Sequence, residues 1–157
     1  MVTWDLDKGV VEFPSGQRVR GRSWNQPISE YADVSAVLTT ASPEAFAARH
    51  AVGMGREIVY ISWPDNRLPQ RPQRAIEQLS QLLERAASER VEITCGGGVG
   101  RTGTALAMLA VISGMDAADA IAFVQQHYNP ESVSSHAQRG FLMDMEPPRK
   151  LPQKPQE

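Results

Sequence analysis

Cys95 is the chain's only cysteine, and four of the five residues after it are glycine: Gly96, Gly97, Gly98 and Gly100. Arg101 and Thr102 follow at once. Glycines in series adopt left-handed conformations that turn successive N–H groups to one side, and no Cβ blocks a close approach. The stretch Val91-Glu92-Ile93-Thr94 has the β-branched character of a buried strand, while Arg101 to Ser113 has that of a helix. The glycines therefore form a strand-to-helix loop, and the unpartnered amides of the new helix add about half a positive charge. Such a loop is built to hold an anion, with phosphate its natural guest. The same field favours thiolate over thiol, and such settings lower a cysteine pKa from ~8.5 to roughly 3.5–7.5. The planar fork of Arg101 matches two phosphate oxygens. These residues make a nucleophile, Cys95, aimed at a bound phosphate.

A rival reading as a nucleotide-binding Walker loop fails, because Cys95 stands where its first glycine belongs and Arg101 where its lysine belongs. A merely structural buried cysteine beside a tight turn leaves Arg101-Thr102-Gly103 without a reason. It also leaves a second motif unexplained: Trp63-Pro64-Asp65, at the end of the strand-like run Arg56 to Ser62. Asp65 lies 30 residues before Cys95, with one helical segment between. That separation fits two neighbouring parallel strands joined by a crossover, so that their carboxyl ends share one rim. Open α/β sheets bind ligands there.

The elements that must position these groups follow in order. Val10-Val11-Glu12-Phe13 and Arg18 to Arg22 flank the turn Pro14-Ser15-Gly16-Gln17 as a hairpin, within about residues 10–23. Arg18, Arg20 and Arg22 alternate onto one face, either a basic rim or a solvated surface. Val34 to Leu38 suggests another strand; Ser42-Pro43 opens a helix running to about Ala51, with His50 in its last turn. Pro72 to Arg90 is amphipathic, with Ile76, Leu79, Leu82, Leu83 and Ala86 on one stripe. The segment from Arg101 is apolar nearly all round, predicting a buried central helix that Gly114 ends. Asp116 starts another helix to about Tyr128, Asn129-Pro130 breaks it, and a last one starts at Ser134 or Ser135. Residues 1–145 are expected to be one domain, and 146–157, rich in proline, a disordered tail. The fold class predicted is α/β, with a small mixed, mainly parallel sheet flanked by helices.

Cys-x5-Arg-Thr, from Cys95 to Thr102, resembles the signature of the cysteine-dependent protein tyrosine phosphatases, and Trp63-Pro64-Asp65 resembles their mobile acid loop. The segment Pro130 to Phe141 is similar to the family stretch carrying a glutamine, here Gln138. The family's usual histidine before the cysteine is Thr94 in this chain. The resemblance implies a tyrosine or dual-specificity phosphatase working through a cysteinyl-phosphate, with no metal or other cofactor. It assigns Cys95 as nucleophile, and Gly96, Gly97, Gly98, Val99, Gly100 and Arg101 as phosphate-binding. Asp65 would be the acid, Thr102 the donor to the sulfur, and Gln138 the group that positions water. Two alternatives stay open: a phosphopeptide-binding module of feeble activity, which Thr94 favours, and a phosphatase of a non-protein phosphomonoester. Inositol lipids fit poorly, since Gly96 to Gly100 carry no charge.

The 157 residues are 41% hydrophobic and 22% charged, as in soluble globular proteins, and carry a net charge of −2, which gives no general pull toward nucleic acid. No apolar run approaches the ~20 residues of a membrane span. A lone cysteine suits a reducing compartment, so a cytoplasmic monomer acting on a phosphorylated protein or peptide is expected, without membrane or nucleic-acid partners.

Overall fold

The computed structural model describes residues 4–28, 30–50 and 53–145. The expected tail lies outside them, as does Ala51.

Among the described residues there are five strands and five helices, strands first, helices last, and the two alternating between. They are β1 (Val10–Glu12), β2 (Arg18–Ser23), β3 (Val34–Thr39), α1 (Pro43–His50), β4 (Glu57–Ser62), α2 (Pro72–Arg85), β5 (Val91–Cys95), α3 (Gly100–Ile112), α4 (Ala117–His127) and α5 (His136–Asp144). The sheet order is β1-β2-β5-β3-β4; β1 and β2 form the antiparallel hairpin, and every other pairing is parallel. The expected mixed, mainly parallel α/β sheet is therefore present.

Strand periodicity divides the core into two layers. Val34, Ala36 and Leu38 of β3 join Ile93, Cys95, Ile61 and the buried flank of α3 in the main core. Val37 faces the other way, into a smaller cluster with Phe46 of α1 and Met54, against which Trp24 and Tyr60 pack. Every residue of β3 is buried, whereas β4 is only partly so. This corrects one expectation: β4 and β5 are not neighbours, because β3 lies between them and pairs with both. β3, buried throughout, lies inside the edge strand β4, and the crossover through α2 passes over it to reach the central strand β5. The shared rim survives, since all three strands point the same way.

Two local readings also change. α2 stops at Arg85 rather than Arg90: Ala87 and Ser88 donate to the carbonyls of Glu84 and Arg85, tightening the last turn. Arg90 is drawn out to the sheet, where its carbonyl accepts the amides of Asp33 and Val34. Of the alternating arginines of β2, Arg18 pairs with Glu12 at 2.8 Å on the exposed hairpin, whereas Arg20 and Arg22 form neither a basic rim nor a solvated face. Arg20 and Arg22 close on the buried carboxylate of Glu92 at 2.7 Å each. The registers Arg20 with Glu92 and Ser35 with Glu92 put these groups side by side on three adjacent strands. The caps Ser42 and Ser135 are as expected, and the Ser42 hydroxyl accepts the Ala45 amide at 3.2 Å.

Candidate active site

β5 runs into the glycine loop at Cys95 and α3 leaves it at Gly100, so the loop bridges a wholly buried strand and a helix buried along nearly its whole length. Its carbonyls are held from outside. Trp24 N–H donates to Cys95 O at 3.1 Å, the Ser23 hydroxyl to Gly96 O at 2.6 Å, the Tyr128 hydroxyl to Gly98 O, and the Thr104 hydroxyl to Gly100 O at 2.8 Å. In a planar trans peptide the N–H points opposite to the C=O, so each carbonyl held outward turns the following amide inward. The amides of Gly96, Gly97 and Val99 have no hydrogen-bond partner among the described residues. That is an anion nest. Gly98 makes the turn possible, with φ +72° and a Cβ position only 2.8 Å from the Arg22 carbonyl carbon.

Cys95 Sγ lies on the floor of this nest, 2% exposed. It accepts the Gly98 amide at 3.1 Å and the Thr102 hydroxyl at 3.0 Å. Thr94 faces away from it: the side chain is fully buried on the other side of β5, and its hydroxyl has no partner among the described residues.

Arg101 is 7% exposed, and its guanidinium is used unevenly. Nη1 donates to the carbonyls of Leu38 at 2.9 Å and Trp63 at 3.1 Å, anchoring the group to the end of β3 and to the acid loop. Nε has no hydrogen bond; its nearest acidic oxygen is Asp65 Oδ1, at 3.6 Å. Nε and Nη2 together form one edge of the guanidinium fork, the edge that grips two oxygens of an oxyanion.

The acid loop is anchored rather than loose at its start. Trp63 is fully buried, donates through Nε1 to Arg67 O at 2.7 Å, and its amide donates to Thr39 O at 3.2 Å. Asn66 carries the turn with φ +59°, a conformation asparagine tolerates. Asp65 projects from that turn with its side chain 77% exposed, beside Arg101.

Gln138 is fully buried and completes a capping box at the start of α5: its amide donates to Ser135 Oγ at 3.0 Å and its Oε1 accepts the Ser135 amide at 3.5 Å. Its Nε2 donates to Arg67 O at 3.4 Å, so α5 touches the acid loop through this residue. The structure thus gathers Cys95, Gly96 to Thr102 and Asp65 around one point, with Gln138 behind the acid loop. His136 forms no side-chain hydrogen bond or ion pair with these groups among the described residues. His50 packs its ring against Trp24 and Phe46 at about 5 Å, as an aromatic partner.

Ser23, Trp24 and Tyr128 were not legible as site residues. Trp24 lies half-buried at the mouth, its ring 5.7 Å from the Arg101 guanidinium carbon and beside Gly96. Tyr128 closes over the loop from the end of α4; burial, and secondarily the charge of Cys95, hold its phenol well above its ordinary pKa. A polar cavity of about 450 Å³ opens beside Gly97, Gly98 and Val99, walled by Tyr128, Asn129, Lys8 and Gln26. One signal pointed to the support beneath the loop: an acid, Glu92, inside the apolar run of β5, which requires buried cations nearby.

A family model described as "PTP-SAK: Swiss Army Knife protein, DSP-PTPase phosphatase domain" matches residues 11–148. No curated protein matches the chain. Among solved structures, Tk-PTP in its active form is similar over 85% of this chain and 93% of that one, at 22% identity and a TM-score of 0.60. The PTP-2 phosphatase of Cydia pomonella is similar over 71% and 70%, at 16% identity and 0.56. A kinase-associated phosphatase with its catalytic-site cysteine replaced by serine is similar over 70% and 67%, at 14% identity and 0.52. At these identities the three share the fold.

Proposed function

The chain belongs to the Swiss Army Knife DSP-PTPase family and is a phosphatase of the tyrosine or dual-specificity type; we propose that it hydrolyses phosphorylated protein or peptide through a cysteinyl-phosphate on Cys95. The observation that carries this reading is the empty edge of the Arg101 guanidinium next to unpartnered loop amides, with a doubly hydrogen-bonded sulfur beneath.

In the first step the Cys95 thiolate attacks phosphorus and the ester oxygen leaves on the opposite side, splitting one hard displacement into two. The loop amides between Gly96 and Arg101, apart from that of Gly98, which the sulfur accepts, and the fork of Arg101 bind the equatorial oxygens, whose charge they are preorganised to stabilise. Asp65 protonates the departing oxygen, and then takes a proton from the water that attacks the phosphocysteine. Thr102 keeps its hydrogen bond to sulfur as the sulfur leaves, easing the second step. We assign Gln138 to holding that water; its two side-chain bonds, at 3.4 and 3.5 Å, are long enough for a water to displace. All of these groups are side chains and amides of one chain, which supports action as a monomer.

Trp24 gives the mouth an aromatic wall, which favours phenolic esters, and so phosphotyrosine over phosphoserine. A working thiolate needs a reducing compartment, and on that ground we place the protein in the cytoplasm. No helix among the described residues is long and apolar enough to cross a membrane.

The test is turnover of p-nitrophenyl phosphate and of a phosphotyrosine peptide by Cys95→Ser. Turnover should vanish while binding of the peptide persists. Undiminished turnover by that variant would remove the mechanism.

A further inference from the structure

We infer that Tyr128 is a positioning residue of the phosphate loop: its hydroxyl holds the Gly98–Val99 peptide in the orientation that aims the Val99 amide at the bound phosphate. This rests on the reading of the loop as a phosphate site, and names a residue that the Cys-x5-Arg pattern does not contain.

Three carbonyls before α3 are tied down, and each orients the next amide. Those of Cys95 and Gly96 are tied by Trp24 and Ser23, which belong to the end of β2 and the turn after it. The far side of the loop has one such tie among the described residues, from Tyr128 to Gly98 O. Gly98 needs it most, because a glycine at φ +72° has no side-chain bulk to keep its peptide from rotating.

The chain is shaped to bring this phenol in. Tyr128 is the C-cap of α4, and its ring reaches the loop across Gly21 in β2. A Cβ on Gly21 would stand 2.6 to 2.8 Å from Cε1, Cζ and the hydroxyl oxygen of that ring. A side chain in the middle of that strand would therefore push the phenol off the loop. Burial keeps the phenol protonated and thus a donor throughout the working pH range. A hydrogen bond to a peptide carbonyl polarises the unit and strengthens its N–H as a donor on the other side. The groups that donate to Cys95 Sγ are the Gly98 amide and the Thr102 hydroxyl, and Tyr128 holds the same Gly98 from its other side, through the carbonyl.

The experiment compares the parent protein, Tyr128→Phe and Gly21→Ala by vanadate affinity, by the pH profile of Cys95 alkylation with iodoacetamide, and by kcat/KM on p-nitrophenyl phosphate. Tyr128→Phe keeps the ring and loses one hydrogen bond, so vanadate should bind roughly 3- to 10-fold more weakly, with kcat/KM falling in step. The alkylation profile should move to higher pH. Gly21→Ala should give the same changes by displacing the phenol, and the double variant should add little to Tyr128→Phe alone. A lower melting temperature with vanadate affinity and alkylation profile as in the parent would make Tyr128 a packing residue and overturn the inference. If the parent itself bound no vanadate and hydrolysed nothing, the phosphatase reading would fall first, and the two failures are thereby distinct.

Discussion

Two buried arginines, Arg22 and Arg101, frame the loop and are used in opposite ways. Arg22 is 5% exposed and has its guanidinium filled: Nε and Nη2 reach Glu92 at 2.7 and 3.1 Å, Nη2 also donates to Gly53 O, and Nη1 donates to Ser23 O. Arg101 is 7% exposed and has one nitrogen doubly bonded to carbonyls, while Nε has no hydrogen bond at all. Leaving a buried charged donor unmatched is costly, so a fold retains it only where something else completes it. Arg22 is finished by the protein, and its carbonyl contact at Ser23 steadies the residue that ties down Gly96. Arg101 keeps Nε without a hydrogen bond among the described residues, and we propose that the phosphate completes it.

Breaking the filled cluster should cost the most. Glu92→Gln leaves Arg20 and Arg22 without their shared carboxylate, and removing one partner of a buried ion cluster destabilises by about 3–5 kcal/mol. Urea unfolding measures this, and a loss below 1 kcal/mol would mean that water reaches the cluster. The pH dependence has a definite sign. Burial pushes the Glu92 carboxyl up, but the hydrogen bond and charge of Arg22, with Ser35 and Arg20, hold it below its ordinary 4.5. A group so lowered contributes its stability above the unfolded value and loses it as pH falls through the folded one. Parent stability should therefore fall with acid below about pH 5, and the Glu92→Gln variant should show a flatter profile there.

Arg101→Lys tests the unfilled fork and should act mainly on activity. An ammonium cannot grip two oxygens, and kcat should fall by about 10²–10³, the loss typical of one removed oxyanion donor. Unfolding free energy should fall by only about 1–3 kcal/mol, for the Nη1 bonds to Leu38 O and Trp63 O that a lysine cannot both keep. A larger drop in stability would mean that Arg101 is structural after all.

The ligand should stabilise through the same fork. Vanadate at 100 times its Kd should add about 2.7 kcal/mol to the parent. The same vanadate concentration should add much less to Arg101→Lys, whose Kd is higher; an equal gain in both would place the anion elsewhere. The smallest effect is expected at Ser35, which donates to Glu92 at 2.5 Å and accepts the Gly55 amide at 2.7 Å. Ser35→Ala should cost about 1–2 kcal/mol with kcat unchanged.

Local pattern carried much of this. The glycine run between a β-branched strand and an apolar helix could hardly be anything but a strand-to-helix loop, because only glycine reaches φ +72° there without strain. Cys95, Arg101 and Thr102 lie within eight consecutive residues, so their proximity needs no long-range folding. Asp65 was legible from its own motif and its distance along the chain, although not the strand that intervenes between β4 and β5. Gln138 stood out as a site residue, but the serine three positions before it, the mark of a capping box, had more to say about what its side chain does.

What the chain alone determined, then, is the residue set of the proposed chemistry: Cys95, the glycine loop and Asp65, each read from residues whose conformational or ionic properties act over a few positions. What only the tertiary structure decided is which groups hold that chemistry in place. Ser23, Tyr128 and the pair Arg20 and Arg22, which closes on Glu92, come from positions tens of residues away along the chain that strand order and packing bring to the loop and the strand before it. Burial decides the rest: the same alternating arginines would be a solvated face on an edge strand. Beside β5 they become the buried counter-charges of Glu92, because the register leaves that carboxylate nowhere else to find a partner.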